Sequence, residues 1–193
     1  QKPDNAISGG KDGVATGIAQ CGGDLVTILD FERIVAEIAP ETSIQMSEID
    51  ALGPRQRSDQ PIYIAEDSVL LSRMIQDALG KAGYTNVHMF PNGQELWDTL
   101  TRMKEEGTAP EQVALVITDI EMPQMDGHHL TKLIKEDRTL SKIPVILFSS
   151  LISEEMRIKG KQLGADEQLS KPEIGHLVAV MDHLLHQAAE NKA

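Results

Sequence analysis

Three acidic residues, a serine and a lysine each stand at or just after a short apolar segment, and together they could support phosphoryl transfer. They are Glu66, Asp67, Asp119, Ser149 and Lys171. Phosphoryl transfer to a carboxylate needs a positioned nucleophilic oxygen and positive charge that neutralises the phosphoryl oxygens. We therefore expect Asp119 to be the phosphoacceptor. Lys171 would neutralise one phosphoryl oxygen, and Ser149 would donate a hydrogen bond to another.

The acidic residues also predict a divalent cation, because carboxylates brought together without one would repel each other. Mg²⁺ prefers oxygen ligands and could bridge to the phosphoryl group, and Mn²⁺ accepts the same ligands. We expect Asp67 and Asp119 to bind the cation directly, with the backbone carbonyl of Glu121 as a third ligand. Glu66 is expected to act through a water molecule.

Five short apolar segments alternate with segments of helical periodicity and predict the elements that position these residues. The predicted strands are Ile62–Ala65, Val87–Phe90, Val113–Thr118, Val145–Ser149 and Glu167–Ser170. Such βα alternation predicts an α/β fold with an open, mostly parallel sheet and helices on both faces. Ligands of these sheets bind beyond the C-terminal ends of the strands. The candidate residues stand at those ends, so we expect them to share one edge.

The N-terminal part of the chain has a different pattern. Residues 17–21 and 25–29 have the character of strands and are separated by a Gly-Gly-Asp turn, which predicts a hairpin. A short helix is predicted after it, since apolar residues recur with helical spacing at Phe31, Ile34, Val35 and Ile38. A hairpin and one helix bury too little apolar surface to be stable alone.

These patterns divide the chain into three parts. Residues 1–52 are predicted to be a fragment of a larger domain. Residues 53–60 contain Gly, Pro and charged side chains but no large apolar one, which is typical of a linker. Residues 61–190 are predicted to be the complete domain that carries the candidate site.

The composition restricts the partners and the compartment. The 193 residues have a formal net charge of −12 and no evident cluster of basic side chains, which argues against nucleic acid. No apolar run approaches the roughly 18 residues of a membrane span, and no signal sequence is evident, so we expect a cytoplasmic protein without membrane insertion. The single cysteine, Cys21, excludes an internal disulfide.

The motifs around the candidate residues resemble the CheY-like receiver domains of bacterial response regulators. Segment 116–127 is similar to the phosphoacceptor loop of that family. The acid pair at 66–67, segment 143–150 and segment 164–172 match the family in the same order. The resemblance implies a flavodoxin-like (βα)5 fold with a parallel five-stranded sheet. It also implies a phosphoacceptor that assists its own phosphorylation and dephosphorylation and is not an enzyme for other substrates.

One position departs from the receiver pattern. Receivers that switch through a buried aromatic side chain usually have Tyr or Phe at the position of Gln168, just before Lys171. We therefore expect the coupling between the site hydroxyl and the output surface to differ in this chain.

The N-terminal segment resembles the closing strands and last helix of a CheW-like coupling domain, chiefly in residues 17–19 and 25–35. A CheW-like domain followed by a receiver resembles the CheV class of chemotaxis coupling proteins. The resemblance implies a scaffold that contacts chemoreceptors and is phosphorylated on Asp119 by a CheA-like histidine kinase. Phosphorylation would modulate receptor–kinase coupling or adaptation, or the receiver would serve as a phosphate sink. It also implies a longer parent protein, whose hairpin and helix could pair in a homodimer.

Three other functions are compatible with parts of the pattern. A stand-alone receiver that shuttles between a kinase and a distant target would have the same site, and the upstream sequence would distinguish it. A DNA-binding response regulator is disfavoured, since we find no basic or helix-turn-helix-like segment. A metal-dependent phosphatase would share the Asp nucleophile and Mg²⁺. However, Glu121 and Met122 stand where such an enzyme would need an Asp acid/base.

Overall fold

The chain contains two compact units, which a computed structural model assigns to Gln1–Ser43 and Ile44–Ala193. The structure describes residues 15–21, 24–29, 46–109, 111–150, 152–171 and 173–190. Within these ranges, no helix combines the length and apolar character needed to cross a bilayer.

The described part of the first unit is an antiparallel hairpin. Strand β1 (Ala15–Cys21) pairs with strand β2 (Asp24–Leu29), and Cys21 lies opposite Asp24. The predicted hairpin is therefore confirmed. The predicted helix over residues 31–38 lies outside the described residues, and the CheW-like assignment of residues 1–52 stays a prediction.

The second unit is a parallel five-stranded sheet with helices on both faces. Its strands are β3 (Ile62–Ala65), β4 (Val87–Phe90), β5 (Leu115–Thr118), β6 (Val145–Ser149) and β7 (Glu167–Ser170). Its helices are α1 (Met46–Ala51), α2 (Val69–Lys81), α3 (Gly93–Glu105), α4 (Gly127–Glu136), α5 (Glu154–Gln162) and α6 (Ile174–Glu190), with a 3₁₀ turn at Leu140–Lys142. The strand order is β4-β3-β5-β6-β7, that of a flavodoxin-like fold. The fold class predicted for this unit is confirmed, although β5 begins two residues later than the apolar run.

The three central strands are buried along their whole length, which explains their continuous apolar sequences. Successive side chains point to opposite faces of the sheet and supply two cores. Ile62 and Ile64 pack in the core that contains residues of α2 and α6. Tyr63 and Ala65 pack in the core that contains residues of α3 and α4. The strand ends that carry the site are therefore fixed from both sides.

Polar side chains fix the points at which four helices begin. Each accepts a hydrogen bond from a backbone N–H in the first turn of its helix, which replaces a partner that the helix itself lacks. These capping residues are Ser68 for α2, Asn92 for α3, Asp126 for α4 and Ser153 for α5. The caps limit the conformations of the loops that leave the strand ends.

The compact unit begins earlier than the boundary that the sequence predicts. Helix α1 belongs to it, and Ile49 is buried in the core beside α6. The predicted linker is also bound to the unit. Arg55 donates to both carboxylate oxygens of Asp182 at 2.6 and 2.8 Å and to the Ala82 carbonyl oxygen at 2.8 Å. A segment without large apolar side chains can be fixed by polar contacts, which its composition does not reveal.

The contacts of Asp182 predict a measurable contribution of this segment to stability. Tyr84 is buried and its hydroxyl donates to Asp182 at 2.5 Å. We expect Tyr84→Phe to lower the free energy of unfolding by about 1 kcal/mol, because it leaves a carboxylate oxygen with one donor fewer. Arg55→Ala should cost about 0.5–1 kcal/mol, since its ion pair is partly exposed. Urea unfolding followed by the fluorescence of Trp97 measures both changes.

The control for these variants is Lys132→Ala, which removes an exposed ion pair between side chains one helical turn apart. It should leave the free energy of unfolding nearly unchanged. If Arg55→Ala were as stable as the wild type, the polar contacts of Arg55 would not hold the segment to the unit.

Candidate functional site

The candidate site lies at the C-terminal edge of the sheet, around the ends of β3 and β5. These strands flank the point at which the strand order reverses, where open α/β sheets bind their ligands. Glu66 and Asp67 follow β3, and Asp119 follows β5. Lys171 follows β7, the strand at one edge of the sheet. Its long side chain reaches the two buried acids from there.

A buried ion-pair cluster forms the centre of the site. The Nζ of Lys171 lies 2.6 Å from Oδ2 of Asp119 and 2.8 Å from Oε2 of Glu66. The other oxygens of these carboxylates accept backbone hydrogen bonds. Oδ1 of Asp119 accepts from Ile120 N–H at 2.6 Å, and Oε1 of Glu66 accepts from Ser68 N–H at 3.1 Å. Each carboxylate oxygen of the two buried acids therefore has a donor.

The burial of this cluster affects the protonation of its members. Burial raises the pKa of Glu66 above its ordinary value, although the charge of Lys171 acts in the opposite direction. Burial alone would lower the pKa of Lys171, but Glu66 and Asp119 outweigh that effect and raise it. Lys171 is therefore held as a cation beside Asp119.

The carboxylates offer a set of oxygen ligands. One oxygen from each of Glu66, Asp67 and Asp119 lies within 4.8 Å of the others, and Asp67 is exposed. Oxygen donors in such a group fit a hard cation such as Mg²⁺ or Mn²⁺. The oxygens of Glu66 and of Asp119 all accept from protein donors, and the roles of Asp119 as a direct ligand and of Glu66 through a water stay predictions. The backbone carbonyl of Glu121 stays a predicted ligand.

Close backbone packing shapes the loop from Asp119 to α4. The N–H of Gly127 donates to the Ile120 carbonyl oxygen at 3.0 Å and closes the loop. A Cβ atom on Gly127 would overlap the carbonyl oxygen of Asp119 and lie 3.1 Å from Cα of Ile120. The loop therefore needs glycine at this position. Sequence reasoning assigned Gly127 no role of its own, although a glycine directly after the capping Asp126 was a signal for a close approach.

Ser149 ends β6 beside the cluster. It is buried, and its carbonyl oxygen accepts from the backbone N–H of Lys171 at 3.1 Å. This bond connects the ends of β6 and β7. The structure thus brings Glu66, Asp67, Asp119 and Lys171 into one cluster and places Ser149 at an adjoining strand end, while its predicted hydrogen bond to a phosphoryl oxygen stays a prediction.

Gln168 links β7 to α5 where the resemblance leads us to expect an aromatic ring. Its Nε2 donates to the Arg157 carbonyl oxygen at 2.8 Å. Its Oε1 is buried and has no hydrogen-bond partner among the described residues. Gly160 makes room for this amide, since a Cβ atom there would lie 2.6 Å from Cδ of Gln168. The contact between β7 and α5 therefore depends on an amide hydrogen bond.

Residues 62–182 match the family model described as response regulator receiver domain. The match covers more than half of the chain and contains the carboxylates and the lysine of the cluster. The chain therefore belongs to the response regulator receiver domain family, and the receiver domain recognised from its motifs is confirmed.

Two relatives are chemotaxis proteins of Helicobacter pylori. Chemotaxis protein CheV2 is 32% identical over 154 residues, which cover 78% of this chain and 46% of CheV2. Chemotaxis protein CheV1 is 28% identical over 167 residues, which cover 86% of this chain and 50% of CheV1. The chain thus spans about half the length of these curated relatives.

A solved structure shares the fold of the second unit. It is the signal receiver domain of a signal transduction histidine kinase from Syntrophus aciditrophicus. It is 29% identical, has a TM-score of 0.57 and covers 66% of this chain and 91% of its own.

The buried cluster predicts how stability depends on Lys171. Without divalent cations, Lys171→Met should cost about 3 kcal/mol near neutral pH, because it leaves two buried carboxylates without a counter-charge. The folded pKa of Glu66 is already raised, and loss of Lys171 raises it further, so folding favours the protonated form. The variant should therefore regain stability as the pH falls towards about 5. Urea unfolding at the two pH values measures this.

The matched control is Lys104→Met, which breaks a partly exposed ion pair with Asp137. It should cost less than about 1 kcal/mol, since solvent screens the charges that remain. Equal losses in the two lysine variants near neutral pH would contradict the role assigned to burial of the Lys171 cluster.

Proposed function

We propose that Asp119 accepts a phosphoryl group and that Lys171 neutralises one of its oxygens. The observation that carries the proposal is the buried Nζ of Lys171, 2.6 Å from Asp119 and 2.8 Å from Glu66. This ammonium group is already desolvated and positioned beside the Asp119 carboxylate that would bear the phosphoryl group. Such pre-positioned charge is the main contribution that a protein makes to phosphoryl transfer.

A carboxylate oxygen of Asp119 attacks the phosphorus atom of the donor and forms a new P–O bond. The bond between phosphorus and the leaving group breaks, and the leaving group keeps the electron pair and takes up a proton. Lys171 and Ser149 donate to the phosphoryl oxygens. Attack of water on phosphorus later releases inorganic phosphate and restores the carboxylate.

A divalent cation, Mg²⁺ or Mn²⁺, would be held by Asp67, Asp119 and the Glu121 carbonyl, with Glu66 acting through a water. When bound, it supplies positive charge that offsets the crowded carboxylates and the phosphoryl oxygens. The protein chain supplies the fixed position of the nucleophile. The chain would thereby be a phosphoacceptor that assists only its own phosphorylation and dephosphorylation.

We further propose that the parent protein is a CheV-class coupling protein of chemotaxis. CheV2 and CheV1 are named chemotaxis proteins, and their alignments of 154 and 167 residues are longer than the receiver segment 62–182. The similarity thus extends into the adjoining sequence. A CheA-like histidine kinase would be the phosphodonor in the cytoplasm, and the CheW-like N-terminal part would contact chemoreceptors. Phosphorylation would modulate receptor–kinase coupling or adaptation, or drain phosphate from the kinase.

Two finer expectations accompany this proposal. The formal net charge of −12 opposes binding to nucleic acid, which repels an acidic protein. Pairing of the N-terminal hairpin and its predicted helix between two chains would give a homodimer. The alternative function is a stand-alone receiver that carries phosphate to another target, and it would use the same site.

Phosphorylation is tested by incubation with acetyl phosphate and Mg²⁺. Intact mass should increase by one phosphoryl group in the wild type, and Asp119→Asn should abolish the increase because it removes the nucleophile. Omission of Mg²⁺ should abolish it as well. Asp126→Asn is the control, since asparagine caps a helix as well as aspartate does and the residue is an exposed acid of the same loop. Modification of Asp119→Asn at the wild-type level would refute the assignment.

The coupling role is tested with the parent protein and its complete upstream domain. The parent protein should sediment with membranes that contain chemoreceptors and a CheA-type kinase, and labelled phosphate on the kinase should pass to Asp119. Asp119→Asn should still sediment but should lose the transfer, because binding and phosphorylation use different parts of the chain. Phosphate transfer without sedimentation would favour the stand-alone receiver instead.

A further inference from the structure

A contact outside the carboxylate cluster joins α1 to the helix that follows Lys171. Oε2 of Glu48 accepts from the backbone N–H of Gly175, in the first turn of α6, at 2.7 Å. The first N–H groups of a helix have no partner within the helix, and its dipole favours a negative charge there. Glu48 therefore caps α6 from a segment that lies upstream of the receiver match at 62–182.

The two helices fit closely at this contact. A Cβ atom on Gly175 would lie 2.9 Å from Cβ of Glu48 and 3.1 Å from its Oε2, so a glycine allows the approach. Beside the hydrogen bond, Ile49 of α1 and Ile174 of α6 are buried in the same core. A polar and an apolar contact thus fix α1 against the start of α6.

The start of α6 is in turn connected to Lys171 through a tight turn. The N–H of Lys171 donates to the Ser149 carbonyl oxygen at 3.1 Å, and the N–H of Glu173 donates to the Ser170 carbonyl oxygen at 2.9 Å. Ile174 is fully buried directly after this turn. A shift in the first turn of α6 would therefore displace the backbone that carries Lys171.

We propose that Glu48 is a positioning residue for Lys171. It holds the first turn of α6 and thereby keeps the lysine amine beside Asp119, where the phosphoryl group would arrive. The inference rests on the proposed function of Asp119 and adds a residue upstream of the receiver. Coupling between two contacts is reciprocal. A phosphoryl group on Asp119 therefore strengthens the contact between α1 and α6.

The test measures binding of beryllofluoride, a phosphoryl analogue, to the whole chain in Mg²⁺ by the fluorescence of Trp97. Glu48→Ala should weaken binding about fivefold. Loss of the cap leaves the turn between Lys171 and α6 more mobile, and the analogue must then order this turn when it binds. Glu48→Gln should recover most of the affinity, since its amide oxygen can still accept from Gly175. Gly175→Ala should weaken binding from the other side of the contact, because its methyl group displaces the glutamate.

Two further readouts separate positioning from general stability. The affinity for Mg²⁺ alone should change less in Glu48→Ala than the affinity for beryllofluoride, since Lys171 would contact the analogue directly but not the metal. Hydrogen exchange at the Gly175 amide should slow when the wild type binds beryllofluoride. The matched control is Asp50→Asn, which lies on the same helix but pairs with Lys81 of α2 at 2.6 Å, and it should bind the analogue as the wild type does.

The outcomes distinguish this inference from the proposed function. If the wild type binds beryllofluoride and the Glu48 and Gly175 variants bind it equally well, the inference is overturned and the phosphoacceptor role stands. Lower thermal stability of Glu48→Ala with unchanged binding would also overturn it, because α1 would then be only a structural anchor. If the wild type fails to bind, the proposed function is overturned and this inference with it.

Discussion

The buried ammonium group of Lys171 is the constraint on which the arrangement of the site depends. Buried carboxylates are unstable without a partner, so Glu66 and Asp119 need this one cation, which each contacts within 2.8 Å. Ion pairs of this kind add little net stability compared with apolar packing, because both charges must lose their water. The presence of these ion pairs in the interior of a small domain is therefore better explained by a functional role than by a contribution to stability. The cluster keeps a desolvated charge beside the Asp119 carboxylate at the cost of some stability.

The surrounding structure makes that arrangement rigid. Full burial of the central strands on both faces fixes the strand ends, and close backbone contacts fix the loops that leave them. Gly127 packs against the backbone of Asp119, and Gly93 at the start of α3 packs against the next loop segment, where a Cβ atom would lie 2.6 Å from the Met125 carbonyl oxygen. Larger side chains at these two positions would push the loop between Asp119 and α4 away from its neighbours. The precision of the site thus comes from the backbone as much as from the reactive side chains.

The sequence predicted those features that follow from local periodicity and from a general rule of sheet topology. Periodicity predicted the five strands, and the topology rule predicted that Glu66, Asp67, Asp119 and Lys171 share one edge of the sheet. Helix α1 and the polar contacts of residues 53–60 were not predicted, because a six-residue helix has little periodicity and Arg55 binds a residue 127 positions away. The predicted start of β5 was two residues too early, because an apolar run indicates burial and does not show where strand pairing begins. Val113 is buried, but β5 begins at Leu115. A single sequence also does not show that Gly160 makes room for the side-chain amide of Gln168.

The separation of the cluster along the chain has a consequence for protein synthesis. Asp119 and Lys171 are 52 residues apart, and the lysine follows the last of the five strands of this sheet in chain order. A nascent chain that ends before it carries the acids without their cation, and the parallel sheet completes its non-local pairings slowly. The lysine can join the acids only after β7 has been added to the sheet. The complete buried cluster therefore forms only in a folded domain, and an unfinished receiver lacks the positive charge of the site.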